Sequence, residues 1–182
     1  MRRDEIIAAI EKARGGIRQY LDIMAMFPTV DVSTNETFQR RFNHFYRIRQ
    51  RSENWYAQYY SFMESGKRNP PRFEDALDHL HAILGRYEPS FSSKLAATIS
   101  PDEPIWDRFI IQNIGQKPPV YSSSRKIERA KVVFQEIRKW YLERLASPEG
   151  SLMIRVFNEQ VDQHNHITDI KKIDFVLWQT RS

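Results

Sequence analysis

The segment SSKLAATISPDEPIWDRFIIQNIG, residues 92–115, places Lys94 at the start of one apolar segment and Asp107 at the start of the next. A lysine amine is a nucleophile once it is neutral, and a fixed carboxylate stabilises positive charge developing on a reacting carbon. The same two residue types also serve as helix-end charges. A carboxylate in a first turn is favoured by the helix dipole and free amides, and a lysine early in a short helix is commonly a solvated surface residue. The pair is a catalytic couple only if the chain brings both side chains to the rim of one cleft.

The elements that position the pair read as helices. Apolar residues recur at helical spacing along almost the whole chain, and no alternating β-branched run is long enough for a sheet, so residues 1–182 are expected to form a single all-α domain of two packed lobes. A first helix is expected over 4–27, with Gly15 and Gly16 as a bend or break and Pro28 as its end. TFQRRFNHFYRIRQR follows a cap at Thr34 or Asn35, with Phe38, Phe42 and Phe45 on one face and Arg40, His44, Arg47 and Arg51 on the other. A second aromatic helix, ENWYAQYYSFMES, precedes the linker GKRNPPRF, where a lobe boundary is expected near 66–72. FEDALDHLHAIL comes next, with Gly85 as its C-cap. Two short helices follow, over 90–99 and 104–114, the second opened by Pro104 and stopped by Gly115. After QKPPVYSSS, a long helix over 124–146 ends at Pro148-Glu149-Gly150, and SLMIRVFNEQVDQ and TDIKKIDFVLWQ complete the set.

Composition narrows the chemistry. The 182 residues are 41% hydrophobic, enough for a substantial core, and Lys plus Arg exceed Asp plus Glu by 28 to 23, a balance that favours polyanionic partners if the excess is gathered on one face. The chain has no cysteine, which excludes disulfides, thiolate zinc sites, cysteine-ligated iron–sulfur clusters and a cysteine nucleophile. No apolar run approaches the roughly 20 residues needed to span a bilayer, so a cytoplasmic protein without membrane contact is expected. His79 and His81 point apart on a helix, and His164 and His166 sit in a loop near Asp162 and Asp169; neither pair is read as a metal site, and no cofactor is expected.

SKLAAT followed by PIWDRFIIQNIG resembles the catalytic segment of the helix-hairpin-helix DNA glycosylase superfamily, in which a lysine followed closely by alanine opens one helix and an aspartate opens another. The likeness covers residues 77–115. It implies an all-α, two-lobed, glycosylase-like fold with the site between the lobes, and a possible DNA glycosylase acting on damaged bases. Carried onto this chain, Asp107 would stabilise the oxocarbenium character of the sugar, and Lys94 would attack C1′ and form a Schiff base. The chain departs from the family pattern in three ways, of which two lie in this segment: YEPSFSSK replaces a Gly-x-Gly hairpin, and the spacing from Lys94 to Asp107 is shorter. The iron–sulfur segment of some members is also missing.

DNA is the partner this implies. Arg40, Arg47 and Arg51 form a basic face without interleaved acids, Ser92 and Ser93 stand at the phosphate-gripping turn, and Trp106 is a candidate wedge that core packing explains equally well. Asp174, on a largely apolar helix, calls for a cationic partner. The competing expectation is a non-catalytic helical module that contacts protein or nucleic acid.

Overall fold

The apolar stripes become nine α-helices among the described residues, 1–180 of a computed structural model: α1 (Arg3–Met26), α2 (Glu36–Tyr46), α3 (Glu53–Gly66), α4 (Phe73–Leu84), α5 (Pro89–Ile99), α6 (Arg108–Asn113), α7 (Lys126–Ala146), α8 (Pro148–Gln160) and α9 (Asp169–Gln179). No strand occurs among those residues. None of these helices is long and apolar enough to cross a membrane.

Helix ends follow local chemistry. Asn35, Ser52 and Thr168 accept backbone amide bonds from Phe38, Trp55 and Lys171, and Gly85 closes α4 at φ +62°, a conformation that favours glycine. Three boundaries differ from expectation. α1 runs unbroken through Gly15 and Gly16 because Ile10, Ala13, Ile17 and Tyr20 anchor it on both sides of the pair. At Gly16 a Cβ would meet the Phe175 and Phe45 rings at 3.9 Å. Pro148 to Gly150 opens α8 rather than ending α7: Pro148 occupies the first turn, and Ser147 accepts a bond from the Gly150 amide. The helix expected from Pro104 begins only at Arg108, because Asp107 is its cap.

Two hydrophobic clusters organise these helices. One joins α1 to α6, α7, α8 and α9, with Phe73 and Leu77 of α4. The other gathers α2, α3, α5, Ala76 and Leu80 of α4, and the end of α1 at Ile23 and Phe27. The 66–72 turn therefore lies inside the second cluster, since Tyr59, Tyr60 and Met63 before it pack with Leu80 after it. The N-terminal helix packs with the C-terminal ones, and the middle of the chain forms the other half. Phe45 touches both clusters.

Arg138 of α7 ties this arrangement together. Its guanidinium donates to both carboxylate oxygens of Glu74 on α4, at 2.5 and 3.0 Å, and to Glu103 in the segment after α5, at 3.0 Å. All three side chains are largely covered, at 14, 21 and 18% exposure. Arg138→Ala leaves two carboxylates unpaired and is expected to lower stability by about 2–3 kcal/mol, below the roughly 3–5 of a fully buried pair. A urea unfolding midpoint checks this.

Candidate functional site

Lys94 lies in the second turn of α5, between buried Ser93 and Leu95. Its Nζ donates to the Tyr46 carbonyl at 3.3 Å and sits 4.9 Å from the Phe91 ring centroid and 5.8 Å from that of Tyr46. Burial draws the Lys94 ammonium down from 10.5 to about 8, with Asp107 pulling the other way and Lys171 and Arg47 adding to the fall. An ordinary lysine at pH 7.5 is neutral in about one molecule in a thousand. Lys94 instead carries a usable fraction of free amine.

One hydroxyl ties the segment before Asp107 to α5. Ser93 Oγ accepts the buried Trp106 amide at 2.9 Å and donates to the Ser90 carbonyl at 3.0 Å, which fixes the residue before Asp107 against the residue before Lys94. Trp106 lies parallel to Phe73, at 6.0 Å between centroids. From that anchor Asp107 caps α6, its Oδ1 accepting the Phe109 amide at 2.8 Å. The cap engages Oδ1 and not Oδ2. Ser93→Ala strands the buried Trp106 amide and is expected to cost about 1–3 kcal/mol. Thermal unfolding measures that loss.

Other buried polar side chains come from distant elements. Tyr20 of α1, Tyr46 of α2 and Tyr141 of α7 are buried, and burial lifts all three phenols above their usual range, so they remain neutral. Asp174 Oδ1 accepts the Tyr141 hydroxyl at 3.2 Å, and its Oδ2 accepts Lys171 Nζ at 2.6 Å. Lys171 is thus the cationic partner that Asp174 requires. Lys171, Asp174, Tyr20 and Tyr141 form one polar group within the first cluster, and Tyr46 stands against Lys94.

The six residues expected to contact nucleic acid separate into two groups. Arg40 is exposed on α2, and Arg47 caps that helix at φ 55° with its guanidinium 5.4 Å from the Trp178 ring centroid. Arg51 is not on the basic face, because α2 ends at Tyr46. It pairs with Glu88 at 3.3 Å between the Trp55 and Phe91 rings and holds the start of α3 to the α4–α5 connection. Ser92 and Ser93 are fully buried, Ser92 Oγ donating to the Glu88 carbonyl at 2.9 Å. Neither hydroxyl is at the surface, because both satisfy the backbone of the turn they occupy. Trp106 is buried as well and packs as core.

Sequence reasoning missed Tyr20, Tyr46, Tyr141 and Lys171. The only local signal was the Lys171-x-x-Asp174 spacing on an apolar helix. Two shallow surface grooves, of about 570 and 700 Å³, lie elsewhere, lined by residues such as Leu145, Ile154 and Asp169. No family model matches the chain, and no curated protein or solved structure matches it.

Proposed function

We propose that the protein binds DNA with a fold of the helix-hairpin-helix glycosylase type and excises damaged bases, Asp107 and Lys94 acting on the deoxyribose. In this reading α4 and α5, joined through Gly85, form the hairpin. The observation that carries it is the part-buried Lys94 Nζ, lodged 3.3 Å from the Tyr46 carbonyl and beside the Phe91 ring and drawn down to about 8 with Asp107 pulling the other way, an arrangement that capping does not require. The joining of α1 to the C-terminal helices, with Lys94 on a helix of the other cluster, supports a site between two halves.

The Lys94 lone pair attacks C1′ as the glycosidic bond breaks and its electron pair leaves with the base, while the Asp107 carboxylate stabilises the positive charge on the sugar. The base takes a proton from the new C1′–NH₂⁺ group. The nitrogen lone pair then forms C1′=N as the C1′–O4′ bond opens, and O4′ takes a proton from water. A protonated Schiff base results. The target nucleotide must first leave the helix, which damaged or mismatched bases do at lower cost.

Borohydride trapping on duplexes with an abasic site or with oxidised or alkylated bases tests this reading. The expected result is a covalent adduct absent from Lys94→Ala. Binding to undamaged duplex that weakens steeply with salt, without adduct or base release, would replace the enzyme by a nucleic-acid-binding module.

A further inference from the structure

Two adjacent apolar side chains stand in the open in the connection from α6 to α7: Val120 and Tyr121 are 65 and 64% exposed. Single surface hydrophobics are ordinary. This ring, however, is braced. Tyr87 meets it close to the perpendicular, at 6.0 Å between centroids and 72° between planes, and Lys126 Nζ stands 4.6 Å from its centroid. The backbone beneath it turns back on itself, the Val120 carbonyl accepting the Ser123 amide at 3.0 Å and the Ser123 carbonyl accepting the Lys126 amide at 3.2 Å. Pro118 and Pro119 restrict the chain leading to it. An aromatic ring fixed in this way loses little conformational freedom when something packs on it.

The charge around the ring has one sign. Residues 115–127 contain Lys117, Arg125 and Lys126 and no acid, and Tyr87 is preceded by Arg86, which is exposed. The acids that follow these two segments are Glu88, buried and paired with Arg51 at 3.3 Å, and Glu128 in the first turn of α7. An aromatic ring in an unmixed basic field suits an unpaired base with its flanking phosphates, because the base stacks while the phosphates meet the cations. An apolar protein partner would strip water from those cations without pairing them. Two apolar side chains also bury too little for a lasting membrane anchor.

The loop is joined to both helices of the candidate pair. It begins at Gly115 after α6, the helix that Asp107 caps, and through Tyr87 it leans on the connection into α5, the helix that carries Lys94. Trp106, a candidate wedge by residue type, is core, whereas Tyr121 is an exposed ring beside these two helices.

We propose that Tyr121, braced by Tyr87 and Lys126, is a stacking platform for an unpaired base of a DNA strand whose phosphates are held by Arg86, Lys117 and Arg125. The inference deepens the proposed function and rests on it for DNA as the polymer. It places the contact with disrupted DNA on the α6–α7 loop and the α4–α5 connection.

The test uses full-length protein and a single-stranded DNA oligonucleotide carrying 2-aminopurine between pyrimidines, whose fluorescence falls when its base stacks on an aromatic side chain. Affinity is measured by anisotropy over a range of salt. Wild type is expected to bind and to quench. Tyr121→Ala should bind about 5–150-fold more weakly and lose the quench, with the salt slope kept because no charge is removed. Tyr121→Trp should retain both. Lys117→Ala/Arg125→Ala should instead lower the slope of log affinity against log salt by about 1.4 and keep the quench at saturation. Circular dichroism should show Tyr121→Ala folded, since the ring is exposed. Unchanged affinity and quench in Tyr121→Ala overturn the inference, as does a wild type that binds anionic lipid vesicles and no DNA strand. Borohydride trapping on an abasic duplex is scored in parallel. Adduct formation with no effect of Tyr121→Ala leaves the glycosylase reading standing without the platform. Stacking on Tyr121 without adduct upholds the inference and removes the excision step instead.

Discussion

Asp107→Asn is expected to reduce base excision by about 10²–10³-fold, the usual cost of removing one preorganised electrostatic group from a site where charge develops. The substitution separates the two roles of this residue. Asparagine caps helices about as well as aspartate, so the bond to the Phe109 amide and the start of α6 should survive, and the unfolding midpoint should barely move. What is lost is the negative charge. That charge also holds the Lys94 amine up, so its removal lets Lys94 fall further and increases the neutral fraction. The expected signature is a split: release of a damaged base collapses, while trapping on a preformed abasic site persists and its pH profile moves downward. Parallel loss of both reactions, with the fold intact, would show that Asp107 acts by placing Lys94 rather than by stabilising the sugar.

Lys94→Met should abolish covalent trapping and at the same time make the protein more stable. The folded state holds the Lys94 ammonium near 8, against 10.5 for a free side chain. A lowered lysine means that the unfolded chain binds the proton more tightly, so the penalty is fully present below pH 8 and is relieved as pH rises from about 8 to 10.5. At roughly 1.4 kcal/mol per pH unit, the fall from 10.5 to about 8 sets a penalty of at most about 3.5 kcal/mol. Urea unfolding of the wild type should therefore strengthen from pH 7.5 to 9.5 relative to Lys94→Met. The comparison stays below pH 10 because the buried tyrosines, whose phenols are lifted by the fold, pull stability down above it. Gain of stability with loss of reaction is the pattern of a residue kept for chemistry. Loss of stability in Lys94→Met would mark Lys94 as a structural amine serving the Tyr46 carbonyl.

Much of the architecture could be read from residues alone. The stripe Ile6, Ile10, Ile17 and Tyr20, the Phe38 and Phe42 part of the aromatic face, the cap at Asn35 rather than Thr34, and the Gly85 stop are local features, decided within one or two turns. The errors lie where a distant contact overrules a local signal. Pro104 looks like a helix opener, but the Trp106 amide is taken by Ser93 and the segment stays extended until Asp107 caps α6. Arg51 continues a basic stripe by spacing, yet α2 stops at Tyr46 and Arg51 turns inward to Glu88. The GKRNPPRF linker looks like a boundary because glycine and proline mark a turn, and a turn carries no information on which core its flanking helices join.

The sequence by itself determined that this chain is helical, free of cysteine chemistry, and equipped with a lysine and an aspartate at two neighbouring helix starts. Those properties follow from periodicity, residue type and chain proximity. Only the tertiary structure decided that the lysine lies against Tyr46 and Phe91 and is drawn toward neutrality while Asp107 pulls the other way, and that Lys171, Asp174 and Tyr141 join in one buried polar group. The physical reason is that desolvation and charge pairing depend on what α2, α3 and α4 bring to α5. No spacing within residues 92–115 encodes those neighbours.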